Sequence, residues 1–150
     1  MSLVVNRKAK SQYSIEDTFL AGLVLTGQEV KSLRLAHASL VGSFVKIING
    51  EAFLINAQIN PYVFADNSEY DAKRMRKLLL KKSELERLIV LTTQQKRVLV
   101  PLSIDLEHRR IKLKVGVGRG KKQYEQRETI KRRHQKREMA KEFKSQLKGF

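Results

Sequence analysis

The sequence predicts a mainly β protein: an antiparallel barrel of the oligonucleotide-binding type, with about six strands and three helices, followed by a basic C-terminal tail. Three features lead there. Several short apolar segments alternate with a period of two, as half-buried strands do. Asn49-Gly50, between two apolar runs, is the dipeptide favoured by a two-residue hairpin turn, because both positions need positive φ. From Arg119 to Phe150 the chain carries twelve basic and four acidic side chains and too few apolar ones to build a core. The 150 residues, 41% of them apolar, suffice for one hydrophobic core, so the division expected is a barrel over 1–118 and a tail over 119–150.

Residues 13–25 end in an apolar, β-rich run in which Gly22 marks a bend or bulge. Thr26 and Glu29 follow at capping-box spacing, and Val30, Leu33 and Leu35 line one side of the next turns, so a short helix succeeds the first strand. FVKII and AFLI flank Asn49-Gly50 as hairpin arms, and Pro61 limits the second arm. Residues 60–71 have aromatics but no period and read as a loop. RMRKLLLKKSELERLIVL is helical in composition. Ser83 and Glu86 form a second capping-box pair within it, predicting two helices that meet near Lys82, the second burying Leu85, Leu88 and Ile89. After TTQQ, Val98, Val100 and Leu102, and then Ile111, Leu113, Val115 and Val117, alternate as two antiparallel strands joined around residues 105–109. GVGRGKK fails as a phosphate-binding loop, with Val115 where glycine is required and Lys122 where Ser or Thr is required. Its glycines read instead as a hinge between the last strand and the tail.

Thirty-one Lys and Arg against 15 Asp and Glu give a formal charge of +16, the balance of a protein whose partner is a polyanion. There is no cysteine, so neither a disulfide framework nor a thiolate metal site can form, which fits a reducing compartment. With no apolar run near the roughly 18 residues of a membrane span and no signal-peptide pattern, a soluble cytoplasmic protein without a membrane partner is expected. His37, His108 and His134 have no second histidine or carboxylate pair at ligand spacing, so no metal, cofactor or catalytic group is expected. The basic side chains cluster instead: Arg7, Lys8 and Lys10 beside Asn6, Lys31 and Arg34 one turn apart, and Lys73, Arg74, Arg76, Lys77, Lys81 and Lys82 in one short window. Phe44, Phe53, Tyr62 and Phe64 are the candidates for base stacking, but period and hairpin placement make Phe44 and Phe53 core residues. Recognition of a folded RNA by shape and phosphate contacts is therefore favoured over a stacking platform. A structural ribosomal protein with a basic tail and a nucleic-acid-processing enzyme are the competing classes, and the second of these needs a metal or general-base cluster.

NRKA at residues 6–9, AGLVLTGQEVKSLR at 21–34, SFVKIINGEAFL at 43–54, RKLLL at 76–80, VPL at 100–102 and GRGKKQYEQRETIK at 118–131 resemble, in order, the motifs of the bacterial tmRNA-binding family SmpB, also called SsrA-binding proteins. The resemblance implies a non-enzymatic adaptor of trans-translation. It would bind the tRNA-like domain of tmRNA, one copy per tmRNA, and enter the vacant A site of a stalled 70S ribosome with alanyl-tmRNA, so that the stalled peptide is tagged for proteolysis. Carried over residue by residue, the tmRNA-facing set is Asn6, Arg7, Lys8, Lys31, Arg34, Arg76, Lys77, Leu79 and Lys81. Leu20 stands where the family has Glu, and Lys81 where Asn or His is common. The resemblance further implies a tail disordered in the free protein and helical in the empty mRNA channel beside the small-subunit decoding centre. Its contacts would be Gly120, Lys121, Lys122, Tyr124, Arg127, Ile130, Lys131, Arg132 and Arg133. In the tail the family's acidic positions are partly replaced, by Arg132 and His134 among others, which raises its positive charge. Ordering such a segment costs roughly 1 to 2 kcal/mol per residue, which counterion release on RNA can offset.

Overall fold

A computed structural model describes residues 1–121 and 131–141. Seven strands form one antiparallel sheet in the order β1-β8-β9-β2-β7-β5-β4, and β3 pairs with β6 beside it. They are β1 (Ser2–Val5), β2 (Tyr13–Leu23), β3 (Ala38–Ser39), β4 (Phe44–Ile48), β5 (Glu51–Ile55), β6 (Gln58–Ile59), β7 (Arg76–Leu79), β8 (Val98–Glu107) and β9 (Arg110–Gly120). The helices are α1 (Ala9–Gln12), α2 (Gly27–Arg34) and α3 (Lys82–Thr93), and residues 131–141 are helical as well. β4, at one edge of the sheet, lies against β8 near the other, so the sheet curls into a barrel. Ile89 and Thr92 of α3 sit with Val45 of β4 and Leu99 of β8 along that seam. Leu54, Ile104, Leu113, Val115 and Val117 fill the interior with Leu33 of α2 and Leu88 of α3.

The locally encoded elements form as expected. Asn49 and Gly50 have φ of 51° and 76°, the pair of left-handed residues that a type I′ turn requires, and β4 pairs with β5 from Phe44↔Ile55 to Ile48↔Glu51. Thr26 caps α2: its Oγ1 accepts from the Glu29 N–H at 3.3 Å, and Glu29 Oε1 accepts from the Thr26 N–H at 2.9 Å. β8 and β9 form the expected hairpin, but through a two-residue turn in which His108 and Arg109 take φ of 46° and 66° without a glycine. Pro101 lies in β8 beside a register shift, as prolines within sheets often do, and the Asn6 side-chain amide donates to its carbonyl at 2.8 Å.

Four expectations are corrected. RMRKLLL is not a helix: Arg76–Leu79 is β7, slotted between β5 and β2 and alternating buried and exposed side chains. Its residues favour helix in isolation, and the vacant sheet position overrides that preference. The N-cap of α3 is Lys81, whose N–H donates to Glu84 Oε1 at 3.2 Å, so the Ser83 and Glu86 pair is not its cap. In β2 the irregularity falls between Ile15 and Asp17, not at Gly22. The glycines of GVGRG are no hinge, because Gly116 and Gly118 lie inside β9. A Cβ on Gly118 would collide with the Ser14 carbonyl oxygen of the neighbouring strand, so glycine there permits the β2–β9 approach. Lys121, just past β9, is tied to α1, its N–H donating to the Gln12 carbonyl at 2.8 Å.

Candidate nucleic-acid interface

α2 and β7 carry most of the site, and a buried cluster fixes them to each other. Glu29, 1% exposed, faces inward from the first turn of α2. Arg76, 0% exposed, reaches it from β7, donating from Nε to Glu29 Oε2 at 2.6 Å and from its two terminal nitrogens to the carbonyls of Ala57 and Ala72 at 2.8 and 3.0 Å. Arg74 donates to Glu29 Oε1 at 2.5 Å. Burial pushes the Glu29 carboxyl up, but the Arg74 hydrogen bond, the Thr26 N–H and Arg76 more than offset it and hold the group below its ordinary value. Arg76 is thus corrected from the RNA-facing set: the alternation of β7 turns it into the core, and its donors are engaged by protein acceptors.

The same alternation turns Lys77 and Leu79 outward, Leu79 at 55% exposure. Lys77 makes an exposed ion pair with Glu51 at 3.1 Å, a contact weak enough in water for a phosphate to displace. Leu79 borders a hollow of about 320 Å³ shared with Gly22, Val30 of α2, and Arg109, Arg110 and Lys112 of the β8–β9 tip. Those three basic residues were missed in the sequence. Their signal is the basic run HRRIKLK, which only the hairpin brings against Leu79. Lys31 and Arg34 are exposed in the last turn of α2, where positive charge also suits the helix dipole. Lys31 Nζ lies 5.4 Å from the centre of the Tyr62 ring. Lys81 is exposed at the start of α3.

The N-terminal set is more divided. Arg7 and Lys8 are exposed, whereas Asn6 is tied to β8 through its side chain and through its N–H, which donates to the Leu102 carbonyl at 2.8 Å. Lys10 accepts through its carbonyl from Lys121 Nζ at 2.7 Å. That end of β2 pairs Tyr13 with Gly120, and the opposite end pairs Gly22 with Lys112. Nine residue steps of strand separate them by about 30 Å. On the barrel, positive charge gathers at α2, β7 and the β8–β9 tip and again where β9 ends, and the helix over 131–141 is basic along its exposed length. Acids pair with part of it: Glu16 with Arg97 at 2.8 Å and with Arg119 at 3.4 Å, and Asp17 with Arg87 at 3.1 Å.

Of the tail positions, Gly120 ends β9, Lys121 follows it, and Lys131, Arg132 and Arg133 are exposed on the helix over 131–141. Lys122, Tyr124, Arg127 and Ile130 lie outside the described residues. Phe44, expected in the core, is 44% exposed, because as the first residue of an edge strand it faces outward. Among the described residues no three His, Asp or Glu are grouped to hold a metal ion, and no helix is long and apolar enough to cross a membrane.

Comparison with known proteins places the chain in a family. The model of the SmpB protein family matches residues 3–145. The SsrA-binding protein of Lactobacillus delbrueckii subsp. bulgaricus is 43% identical over 142 residues, 95% of this chain and 93% of that protein. Its counterpart in Clostridium botulinum is 45% identical over 143 residues, covering 95% and 92%. That of Bacillus velezensis is 42% identical over 145 residues, covering 97% and 93%. A chain from a solved structure described as "tmRNA-SmpB: a journey to the center of the bacterial ribosome" superposes with a TM-score of 0.66 at 42% identity, covering 79% of this chain and 84% of that one. With a match running through barrel and tail alike, the chain belongs to the SmpB family.

Proposed function

We propose that this chain is an RNA-binding adaptor of trans-translation. It binds the tRNA-like domain of tmRNA, brings alanyl-tmRNA to the vacant A site of stalled 70S ribosomes, and lays its tail in the decoding centre and empty mRNA channel, so that the ribosome is rescued and the peptide tagged. The observation that carries this is likeness along nearly the full length to SsrA-binding proteins, at 42 to 45% identity. The chemistry agrees with it: a net charge of +16 suits a partner rich in phosphate. The adaptor works in the cytoplasm, without a cofactor and without catalysis by its own residues.

Arg7, Lys8, Lys31, Arg34, Lys77, Leu79 and Lys81 are the proposed tmRNA contacts, while Asn6 and Arg76 serve by holding the backbone that presents them. The barrel is proposed to run through Lys121, since Lys121 still bonds to the α1 segment. The tail beyond it, with Lys122, Tyr124, Arg127, Ile130, Lys131, Arg132 and Arg133, is assigned to the ribosome. Truncation after Lys121 tests the division. The shortened chain should bind the tRNA-like domain within about threefold of the parent and support no peptide tagging in a reconstituted translation system. A loss of affinity of a hundredfold or more would mean that the tail, not the barrel, holds tmRNA.

A further inference from the structure

Phe64 is 86% exposed and Val63 79% exposed, and Phe64 exceeds every other large apolar side chain in exposure among the described residues. Tyr62 stands beside Phe64, ring centres 5.5 Å apart and planes at 67°, with Lys31 Nζ on the Tyr62 ring. The loop that presents them is built, not slack. Ser32 Oγ donates to the Asn60 carbonyl at 2.6 Å and Tyr70 Oη to the Ile59 carbonyl at 2.7 Å. The Tyr62 carbonyl accepts from the Ala65 N–H and the Asn67 amide, both at 3.1 Å, and Gln28 Nε2 donates to the Asp66 carbonyl at 3.1 Å. An aromatic ring is thus held out in water from a loop clamped to α2.

We infer that Phe64, with Tyr62 and Lys31, forms a stacking site for a single unpaired base of the bound RNA, a reading that rests on the proposed function. Three points select this occupant. The patch is two or three side chains wide, about the face of one base and far below the roughly 800 Å² per partner of a stable protein interface. A cation already sits at the edge of the aromatic pair, where the phosphate of a stacked nucleotide can meet it, with Arg34 one turn along α2. Asp66, Glu69 and Asp71 line, with Lys31 and Arg74, the hollow beside the loop, and three carboxylates there disfavour a continuous phosphate backbone. The RNA therefore reaches Phe64 with an extruded base and not with a duplex. Stacking of this kind is tolerant of base identity, since each base offers a π face.

The test is binding of full-length Phe64→Ala, Phe64→Trp and Lys31→Ala to a transcript of the tmRNA tRNA-like domain over a salt series. Phe64→Ala should weaken binding about 5- to 160-fold, as base–aromatic stacking does, with the salt slope unchanged because every phosphate keeps its cation. Phe64→Trp should restore parental affinity. Lys31→Ala should flatten the slope by about 0.7 to 0.9. One loop base should be shielded from chemical modification by the parent and reactive in the Phe64→Ala complex. Parental affinity for Phe64→Ala, or a flattened slope, overturns the inference. Lost ribosome association with intact RNA affinity would assign the patch to a protein and also overturn it. A parent that binds no tmRNA transcript would sink the proposed function together with this site, whereas a binding parent with an indifferent Phe64→Ala sinks this site alone.

Discussion

Replacing Arg76 by Met separates a fold-holding arginine from an RNA-binding one. Met keeps much of the aliphatic volume but removes the charge and every donor. Glu29 is then left in the interior with Arg74 as its remaining cation, and the carbonyls of Ala57 and Ala72 lose their Arg76 partners. Removing one member of a buried ion pair costs about 3 to 5 kcal/mol, since the surviving charge stays desolvated. For a domain of this size that corresponds to a drop in Tm of roughly 10 to 20 °C. Urea and thermal unfolding followed by circular dichroism measure it, and tmRNA binding is read well below the new Tm. There the variant should bind with the parental salt slope. The double variant Glu29→Met/Arg76→Met should recover part of the loss, because Arg74, 39% exposed, can turn to solvent once the buried charge is gone. An Arg76→Met chain with an unchanged Tm and a salt slope reduced by about 0.7 to 0.9 would refute the assignment and make Arg76 a phosphate ligand.

The depressed Glu29 group makes acid stability a second test. A carboxyl whose folded pKa lies below its unfolded value stabilises the fold above that unfolded value, near 4.5, and the contribution is lost as pH falls through the lower folded value. Glu29→Gln should therefore be less stable than the parent at pH 7, with the two urea midpoints converging in the acid limb; parallel curves down to acid unfolding would contradict the shift. Gly118→Ala forces β2 and β9 apart at Ser14 and should cost about 1 to 3 kcal/mol, with amide exchange quickened around that rung, while Gly120→Ala, open on all sides, should be nearly silent. Arg34→Ala and Lys77→Ala should each leave Tm within about 2 °C and weaken tmRNA binding with a flatter salt slope, by about 0.7 to 0.9 for each phosphate no longer neutralised; unchanged affinity at physiological salt removes the residue concerned from the interface.

What could be read in the sequence alone was local. The Asn49-Gly50 turn, the Thr26 and Glu29 cap, the alternation of β9 and the charge of the tail each depend on residues within a few positions of one another, so spacing and composition suffice to declare them. The family motifs add a set of outward contacts but cannot say which side chains of RKLLL face out. That depends on partners far along the chain. β7 is a strand because β2 and β5 leave a place for it, and the period of two then buries Arg76 against Glu29, 47 residues away, while exposing Lys77 and Leu79. Gly118 reads as a hinge in one dimension because nothing nearby in sequence shows the carbonyl of Ser14 pressing on it. Arg109 and Arg110 become neighbours of Leu79 only through the hairpin tip, and Phe64 stands exposed only because the loop around it is fastened from below. Sequence by itself determined the local elements and the strongly basic balance, densest toward the C-terminus. Which charges hold the barrel and which remain for the ligand was decided by tertiary packing, since burial and strand partnership are properties of residues brought together from distant parts of the chain.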